Sequence, residues 1–151
     1  MDKEFLLRAI EIAKESIKQG GFPAGAIVVK DNKIISEATS IGNVLNDPTA
    51  HGETTAIREA CKKLGTTDLS GATLYASMEP CVMCLGSAMW SSISRIVYAC
   101  SSKKVSNEYY GGSYNEIEMN SKFNHPIEIT QISELEDDSL AVVKNWEKSL
   151  S

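Results

Sequence analysis

The chain has little of what marks membrane and secreted proteins. Among its 151 residues no apolar run approaches the ~20 residues that a helix needs to span a bilayer. The N-terminus, Met1-Asp2-Lys3-Glu4, is charged and leads into an amphipathic pattern, which is not the pattern of a signal peptide. We therefore expect a cytoplasmic protein that does not bind membranes.

Basic residues are also few. Fifteen Lys and Arg stand against 20 Asp and Glu, which gives a net charge of −5 and a pI of about 5.1. Because phosphate neutralisation by Lys and Arg supplies much of the affinity for nucleic acid, this balance argues against a nucleic-acid partner. We interpret the two short basic clusters, Lys62-Lys63 and Lys103-Lys104, as solvated surface, and a local patch stays open as the alternative.

Histidine is scarce as well, with only His51 and His125. A structural zinc site needs four protein ligands, and His125 stands in a distant loop before Pro126. The pair Cys81 and Cys84, spaced as Cys-x-x-Cys, is typical of metal binding in a cytosolic chain, where disulfides are rare. A redox-active pair and half of a structural zinc knuckle stay open as alternatives for Cys81 and Cys84, although a closed structural site would want a further Cys or His at a useful spacing.

The order of predicted elements indicates one α/β domain over residues 1–151, without repeats. Leu6, Ile10, Ala13 and Ile17 lie at helical spacing, and a hairpin, a helix and alternating strands and helices follow. Asp47-Pro48 predicts the start of the second helix, with Asp as N-cap and Pro at the first helical position. Alternation of this kind predicts a three-layer α/β/α sandwich.

Two helix-start motifs supply the candidate metal site. His51 with Cys81 and Cys84 offers three ligands and leaves the fourth position of a tetrahedral Zn²⁺ for water, which is typical of a catalytic site. Glu53 beside that water would move protons. Residues two apart on a regular helix diverge by ~200°, so His51 and Glu53 converge only where the metal lies off the helix end.

The joint pattern H-x-E…P-C-x-x-C is that of zinc nucleobase deaminases. With Asp47–Glu53, Thr55–Arg58, Glu79–Cys84 and the strand entry Gly21–Gly25, the chain resembles the cytidine deaminase superfamily, and most closely its purine and cytosine base-deaminase branch. The resemblance implies a central mixed five-stranded sheet, one Zn²⁺ per chain and a homodimer. It also implies that Glu53 takes a proton from water and delivers protons to a ring nitrogen and the departing amine.

The chain departs from this branch at positions that bear on the substrate. Ser40 stands where the branch usually has an Asn that binds the base, and Asn43 either takes over that role or is a turn residue. Tyr110-Gly111-Gly112 replaces an acidic pair found in guanine deaminases. Glu116 or Glu118 could substitute for that pair, although surface helix acids are the simpler interpretation.

Aromatic rings are few, and some are expected to stack on a flat substrate. Trp90 matches a pocket position in guanine deaminase-like sequences, and a core or dimer-interface role is the alternative. Trp146, on the C-terminal helix, either lies in the core or closes the pocket as that region does in relatives. The predicted substrate-binding residues are Phe22, Ser40, Asn43, Trp90 and Tyr110.

These patterns predict a zinc-dependent hydrolytic deaminase that releases ammonia from a small amino-substituted heterocycle. The substrate would be a guanine-like or cytosine-like base or its nucleoside. One alternative is a tRNA adenosine-to-inosine deaminase, which the acidic charge disfavours, including that of Glu134–Asp138 in the C-terminal helix. A further alternative is a zinc-stabilised binding protein without activity, which the presence of Glu53 disfavours.

Overall fold

A computed structural model describes residues 1–151 and shows helices alternating with strands along the chain. The helices are α1 (Asp2–Lys18), α2 (Gly42–Leu45), α3 (Gly52–Leu64), α4 (Val82–Trp90), α5 (Glu116–Ser121) and α6 (Glu136–Ser149). The strands are β1 (Phe22–Lys30), β2 (Lys33–Ser40), β3 (Thr73–Met78), β4 (Arg95–Cys100) and β5 (Glu128–Gln131). Short 3₁₀ turns cover Ser102–Lys104, Asn107–Tyr110 and Ser133–Leu135. None of the helices combines the length and the hydropathy that crossing a membrane requires.

The five strands form one mixed sheet in the order β2-β1-β3-β4-β5. β1 is antiparallel to both of its neighbours, and β3, β4 and β5 run parallel. The predicted hairpin is confirmed, because β1 and β2 are joined through Asp31 and Asn32, which both have the positive φ that a tight turn of this kind needs. The predicted mixed five-stranded sheet is thus confirmed.

Helices cover both faces of this sheet. On β1, Ile27 and Val29 belong to the core cluster that packs against α1 and α6, whereas Ala26 and Val28 belong to the cluster that packs against α3 and α4. This alternation follows from the two-residue period of a strand. It explains why β1 reads as a continuous apolar run, and it confirms the three-layer sandwich.

The predicted helix start at Asp47-Pro48 is wrong. The Asp47 carboxylate accepts hydrogen bonds from the Thr49 backbone N–H at 2.9 Å and the Thr49 hydroxyl at 2.7 Å, so it closes a local turn instead of capping a helix. α3 begins five residues after Asp47, at Gly52. Asx turns and helix N-caps use the same residue types, and the sequence signal does not separate them.

Candidate active site

Two of the metal-ligand candidates occupy helix N-cap positions. His51 caps α3 with φ −72° and ψ 153°, and Cys81 caps α4 with φ −77° and ψ 176°. Neither side chain bonds to its own helix, so both are free to face a common point. The extended backbone at His51 removes the predicted divergence from Glu53, because His51 precedes the helical residues.

The three ligand atoms are spaced for a tetrahedral metal. His51 Nδ1 lies 3.5 Å from Cys81 Sγ and 3.8 Å from Cys84 Sγ, and all three atoms lie within 4.8 Å of one another. Zn–N bonds of ~2.0–2.1 Å and Zn–S bonds of ~2.3 Å at tetrahedral angles place N and S ligands ~3.5 Å apart. The set therefore fits Zn²⁺ with one coordination position left for a non-protein ligand.

Without a metal the surroundings favour one thiolate, at Cys81, because the hydrogen bond with Cys81 and burial raise the pKa of Cys84. The thiol of Cys84 lowers the pKa of Cys81 to about 4, and His51 adds to the effect. The hydroxyl of Thr54 donates to Cys84 Sγ at 3.3 Å, and the N-termini of α3 and α4 both point toward the cluster. A bound metal cation replaces the remaining thiol proton, since coordinating thiols are deprotonated.

Glu53 is the buried acid of the site. Its side chain is 6% exposed, and burial, reinforced by the Cys81 thiolate, raises its pKa to about 7. It lines the same cavity as His51 and Cys81 but lies outside the three-residue ligand cluster. A carboxyl group with a pKa near neutrality can both accept and donate protons at pH 7.

Ser40 holds the start of α3. Its buried hydroxyl accepts the Gly52 N–H at 2.8 Å, which satisfies one of the free N–H groups of the first turn. The contact depends on the glycine, because a Cβ at position 52 would lie 3.1 Å from Ser40 Oγ and 3.2 Å from the carbonyl oxygen of Ala38. Ser40 and Gly52 are thus matched, and together they fix His51 and Glu53 relative to β2.

The ligand cluster opens into the main cavity of the molecule, with a volume of about 760 Å³. Its wall consists of the starts of β1, α3 and α4, the ends of β2 and α6, the loop around α2 and the 3₁₀ turn at Asn107–Tyr110. The side chains that bear on the chemistry are Phe22, Ser40, Asn43, Asp47, His51, Glu53, Glu79, Cys81, Glu108, Tyr109, Tyr110 and Trp146.

Four of the five residues predicted to bind substrate line this cavity. Phe22 and Tyr110 supply rings, with the Tyr110 hydroxyl donating to the Glu79 carbonyl at 2.7 Å. The Asn43 amide donates to the Gly20 carbonyl at 2.8 Å, so one end of it serves the loop. Trp90 is not brought to the cavity of this chain. It ends α4 with 80% of its surface exposed, since the cysteine end of that helix faces inward.

Other residues at the site gave a weaker sequence signal. Tyr109 and Trp146 line the cavity from distant segments, and Trp146 is close to Phe22, with ring centroids 5.3 Å apart. Glu116 is 9% exposed and is not a surface acid. Burial, with Glu79 adding to it, raises its pKa to about 8. Glu118 is exposed, as predicted. Only tertiary packing separates these two acids of one helix.

Comparison with known proteins agrees with this geometry. Over 96 residues, 63% of its length, the chain is 49% identical to a guanine deaminase of Bacillus subtilis, of which the match covers 62%. Over 105 residues, 69% of its length, it is 43% identical to a tRNA-specific adenosine deaminase of Aquifex aeolicus, of which the match covers 70%. The match thus spans less than two thirds of the guanine deaminase.

A solved guanine deaminase of Nitrosomonas europaea superposes with a TM-score of 0.82 at 27% identity, covering 95% of this chain and 83% of that one. A family model, the cytidine and deoxycytidylate deaminase zinc-binding region, matches residues 1–100, which include every ligand candidate and Glu53. Since the match covers more than half of the chain, this protein belongs to the cytidine and deoxycytidylate deaminase zinc-binding family.

Proposed function

We propose that this protein is a zinc-dependent hydrolytic deaminase of a small amino-substituted heterocycle, a nucleobase or its nucleoside. One observation carries the proposal: His51 and Cys81 of the three-ligand cluster line the same cavity as the buried carboxyl group of Glu53. A structural zinc site would close its fourth position with another protein ligand. Here the cluster has three protein ligands and borders a cavity of about 760 Å³.

Three residues are assigned to the metal and one to proton transfer. His51, Cys81 and Cys84 would hold Zn²⁺, which would lower the pKa of a bound water toward neutrality. The Glu53 carboxylate would accept a proton from water and would donate protons to a ring nitrogen and to the departing amine. A C–O bond forms at the amidine carbon, its C–N bond breaks, and ammonia leaves. Tyr110, next to the cysteines in the core, forms part of the wall beside the reacting ring.

The second candidate is a tRNA adenosine deaminase, which the Aquifex relative favours. Its substrate presents a base flanked by phosphates, and the net charge of −5 disfavours it. A zinc-stabilised binding protein is the third candidate. It gives no reason for a buried acid beside an open coordination position. The expected homodimer and the cytoplasmic location remain predictions from the sequence.

Ammonia release from a panel of bases, nucleosides and a tRNA anticodon stem-loop tests the proposal. We expect turnover of at least one base or nucleoside, and an activity loss of about 10²–10⁴-fold in Glu53→Gln, the range of general acid–base catalysis. The matched control is Glu59→Gln, which changes an exposed acid of the same helix. Zinc content is measured in both variants and should equal that of the wild type.

Each alternative has its own outcome. Zinc at one equivalent without ammonia from any compound would favour the binding protein. Turnover of the stem-loop alone would favour the tRNA enzyme. Wild-type rates in the Glu53→Gln variant would remove the role proposed for Glu53 while leaving the metal site intact.

A further inference from the structure

The cavity has a buried end and an open end that differ in chemistry. Residues around the metal cluster are buried, among them Ser40, Glu53 and Tyr110. The opposite end is bordered by exposed residues from four segments: the turn between α1 and β1, the loop around α2, the 3₁₀ turn at Asn107–Tyr110 and the C-terminal end of α6. These border residues are Gly20, Asn43, Asn46, Pro48, Glu108 and Leu150. The route from solvent to the metal cluster therefore passes these residues.

Hydrogen-bond acceptors dominate this opening. Glu108 and the half-buried Asp47 contribute carboxylates, and Asn43 donates its amide N–H₂ to the Gly20 carbonyl while its oxygen accepts no hydrogen bond within the chain. No lysine or arginine lines the cavity. Arg58 does not line the cavity, but its guanidinium lies 3.4 Å from the Thr49 hydroxyl. Hydrogen bonds from Thr49 and, to a smaller extent, the charge of Arg58 lower the pKa of Asp47, so Arg58 offsets part of the charge of that carboxylate, whereas no lysine or arginine is paired with Glu108.

An aromatic wall adjoins the acidic opening. Phe22, Tyr109 and Trp146 meet edge to face, with ring centroids 5.2 Å apart for Phe22 and Tyr109 and 6.0 Å apart for Tyr109 and Trp146. The Tyr109 hydroxyl donates to the Glu147 carboxylate, which ties the 3₁₀ turn to α6. These rings pack on one another, so they offer an apolar edge rather than a cage between them.

The volume adds a limit on size. Pockets of about 300–1,000 Å³ hold drug-sized ligands, and a free base of about ten non-hydrogen atoms is smaller than such ligands. At about 760 Å³ the cavity holds more than a base. Space remains at the open end, where acceptors and the aromatic edge lie.

We propose that the cavity selects an unphosphorylated nucleoside, with its sugar hydroxyl groups donating to the acceptors at the opening. This rests on the proposed deaminase function and narrows its substrate class. Hydroxyl groups complement Asp47, Glu108 and the Asn43 oxygen, whereas a phosphate near Glu108 meets a carboxylate that no lysine or arginine of the cavity wall neutralises. Like charges brought together in a cleft lower both affinity and association rate.

The decisive experiment is a ligand series on the zinc-loaded Glu53→Gln protein, which is designed to bind without turnover. Calorimetry compares a base, its nucleoside and the nucleoside 5′-monophosphate, for both a purine and a pyrimidine. We expect the nucleoside to bind more tightly than the base, and the monophosphate to bind about tenfold to a hundredfold more weakly than the nucleoside. Raised salt should narrow the second difference, because it screens exposed charges.

A charge reversal identifies the cause. Glu108→Lys replaces an exposed side chain whose hydrogen bonds within the turn come from its backbone, so the fold should tolerate it. We expect this variant to gain about tenfold in affinity for the monophosphate relative to the nucleoside. The matched control Glu4→Lys makes the same charge change on α1, away from the cavity, and should leave the ratio unchanged.

The outcomes separate this inference from the function on which it rests. A monophosphate that binds as well as its nucleoside, a base that binds better than its nucleoside, or no binding by any of the three overturns the inference, whatever the turnover. Deamination of the anticodon stem-loop also overturns it, because flanking phosphates are then accepted. Absence of ammonia with the expected order of binding would refute the deaminase and leave the selectivity standing.

Discussion

The two ends of the cavity are built in opposite ways. At the metal end, His51 and Glu53 lie within a stretch of three residues at the start of α3. Cys81 and Cys84 lie within a stretch of four residues at the start of α4. At the open end, Phe22, Glu108 and Trp146 come from the first strand, a 3₁₀ turn and the last helix. Short-range geometry therefore fixes each half of the reacting site, and the packing of α3 beside α4 brings the two halves together. At the open end, long-range packing alone determines which molecule is bound.

This difference has energetic consequences. Buried polar groups at the metal end depend on one another, since an unpaired group there costs about 1–3 kcal/mol. Exposed groups at the open end are individually worth less, because water competes for them. Substitutions at the metal end should therefore affect folding and activity together, and those at the open end should affect affinity alone.

The largest expected effect follows loss of a metal ligand. Cys84→Ala removes one of three ligands, so bound zinc should fall far below one equivalent per chain and ammonia release should fall with it. The melting temperature should also lose its dependence on added zinc, because metal binding contributes directly to folding. Metal analysis and thermal melting with and without zinc measure both effects.

Cys61→Ala is the control for this variant, because Cys61 is a half-buried cysteine of α3 outside the ligand cluster. It should keep its zinc. A Cys84→Ala protein that retained a full equivalent of zinc would show that the metal lies elsewhere, and the contrast between the two ends would then have no chemical basis.

Glu116 gives the next effect, on stability as a function of pH. Burial, with Glu79 adding to it, raises the pKa of Glu116 from 4.5 to about 8, so the folded protein holds a proton that the unfolded chain loses. The stabilisation from this proton is complete below about pH 4.5 and is lost as the pH rises through 8. Glu116→Gln should therefore gain about 2–4 kcal/mol in free energy of unfolding at pH 9 relative to wild type, and little at pH 4.

Urea unfolding of the zinc-loaded proteins at several pH values measures this difference. The control is Glu118→Gln on the same helix, because Glu118 is exposed and pairs with Lys122 at the surface. Its pH profile should match that of wild type. Identical profiles for Glu116→Gln and wild type would mean that Glu116 is not held protonated in the fold.

The matched pair Ser40 and Gly52 gives a smaller effect. An alanine at position 52 meets Ser40 Oγ and the carbonyl oxygen of Ala38 at 3.1 and 3.2 Å, so we expect a loss of about 1–2 kcal/mol. In a Ser40→Ala background the same change should cost less, because one of the two close contacts is gone. Double-mutant analysis of unfolding free energies measures the coupling.

Gly86→Ala is the control, since a Cβ there meets nothing within 4 Å and α4 should gain up to about 1 kcal/mol. If the losses in unfolding free energy from Ser40→Ala and Gly52→Ala add in the double variant, the two residues act independently. His51 and Glu53 would then be positioned by something other than the Ser40 hydroxyl.

The limits of sequence reasoning fall along the same division. The ligand set could be predicted because cysteines three apart at a helix start and a histidine before a glutamate have few other uses. The start of α3 could not, since Asp47 suits a turn and a cap equally well. The sequence also could not predict that Glu116 is buried while Glu118 is exposed, because α5 shows no periodic pattern and tertiary contacts alone distinguish the two acids.

The two tryptophans differ in their position relative to the open end of the cavity. Trp146 lines the cavity and packs edge to face with Phe22 and Tyr109, whereas Trp90 is 80% exposed at the end of α4. Trp146→Ala should raise KM about tenfold with little change in kcat, because it removes an apolar wall from the binding end and no group from the reacting end. Trp90→Ala should change neither constant through the cavity of its own chain.

Steady-state kinetics on both variants, together with light scattering, distinguishes three outcomes. A rise in KM for Trp146→Ala alone supports the cavity as a complete unit within one chain. A rise in KM for Trp90→Ala accompanied by loss of a dimer would mean that a second copy of the chain completes the open end. Trp90 would then bind substrate, as the sequence predicts, in the cavity of the neighbouring copy. A fall in kcat for Trp146→Ala would show that the two ends are coupled, and the division of the site into a fixed reacting end and a separate binding end would be wrong.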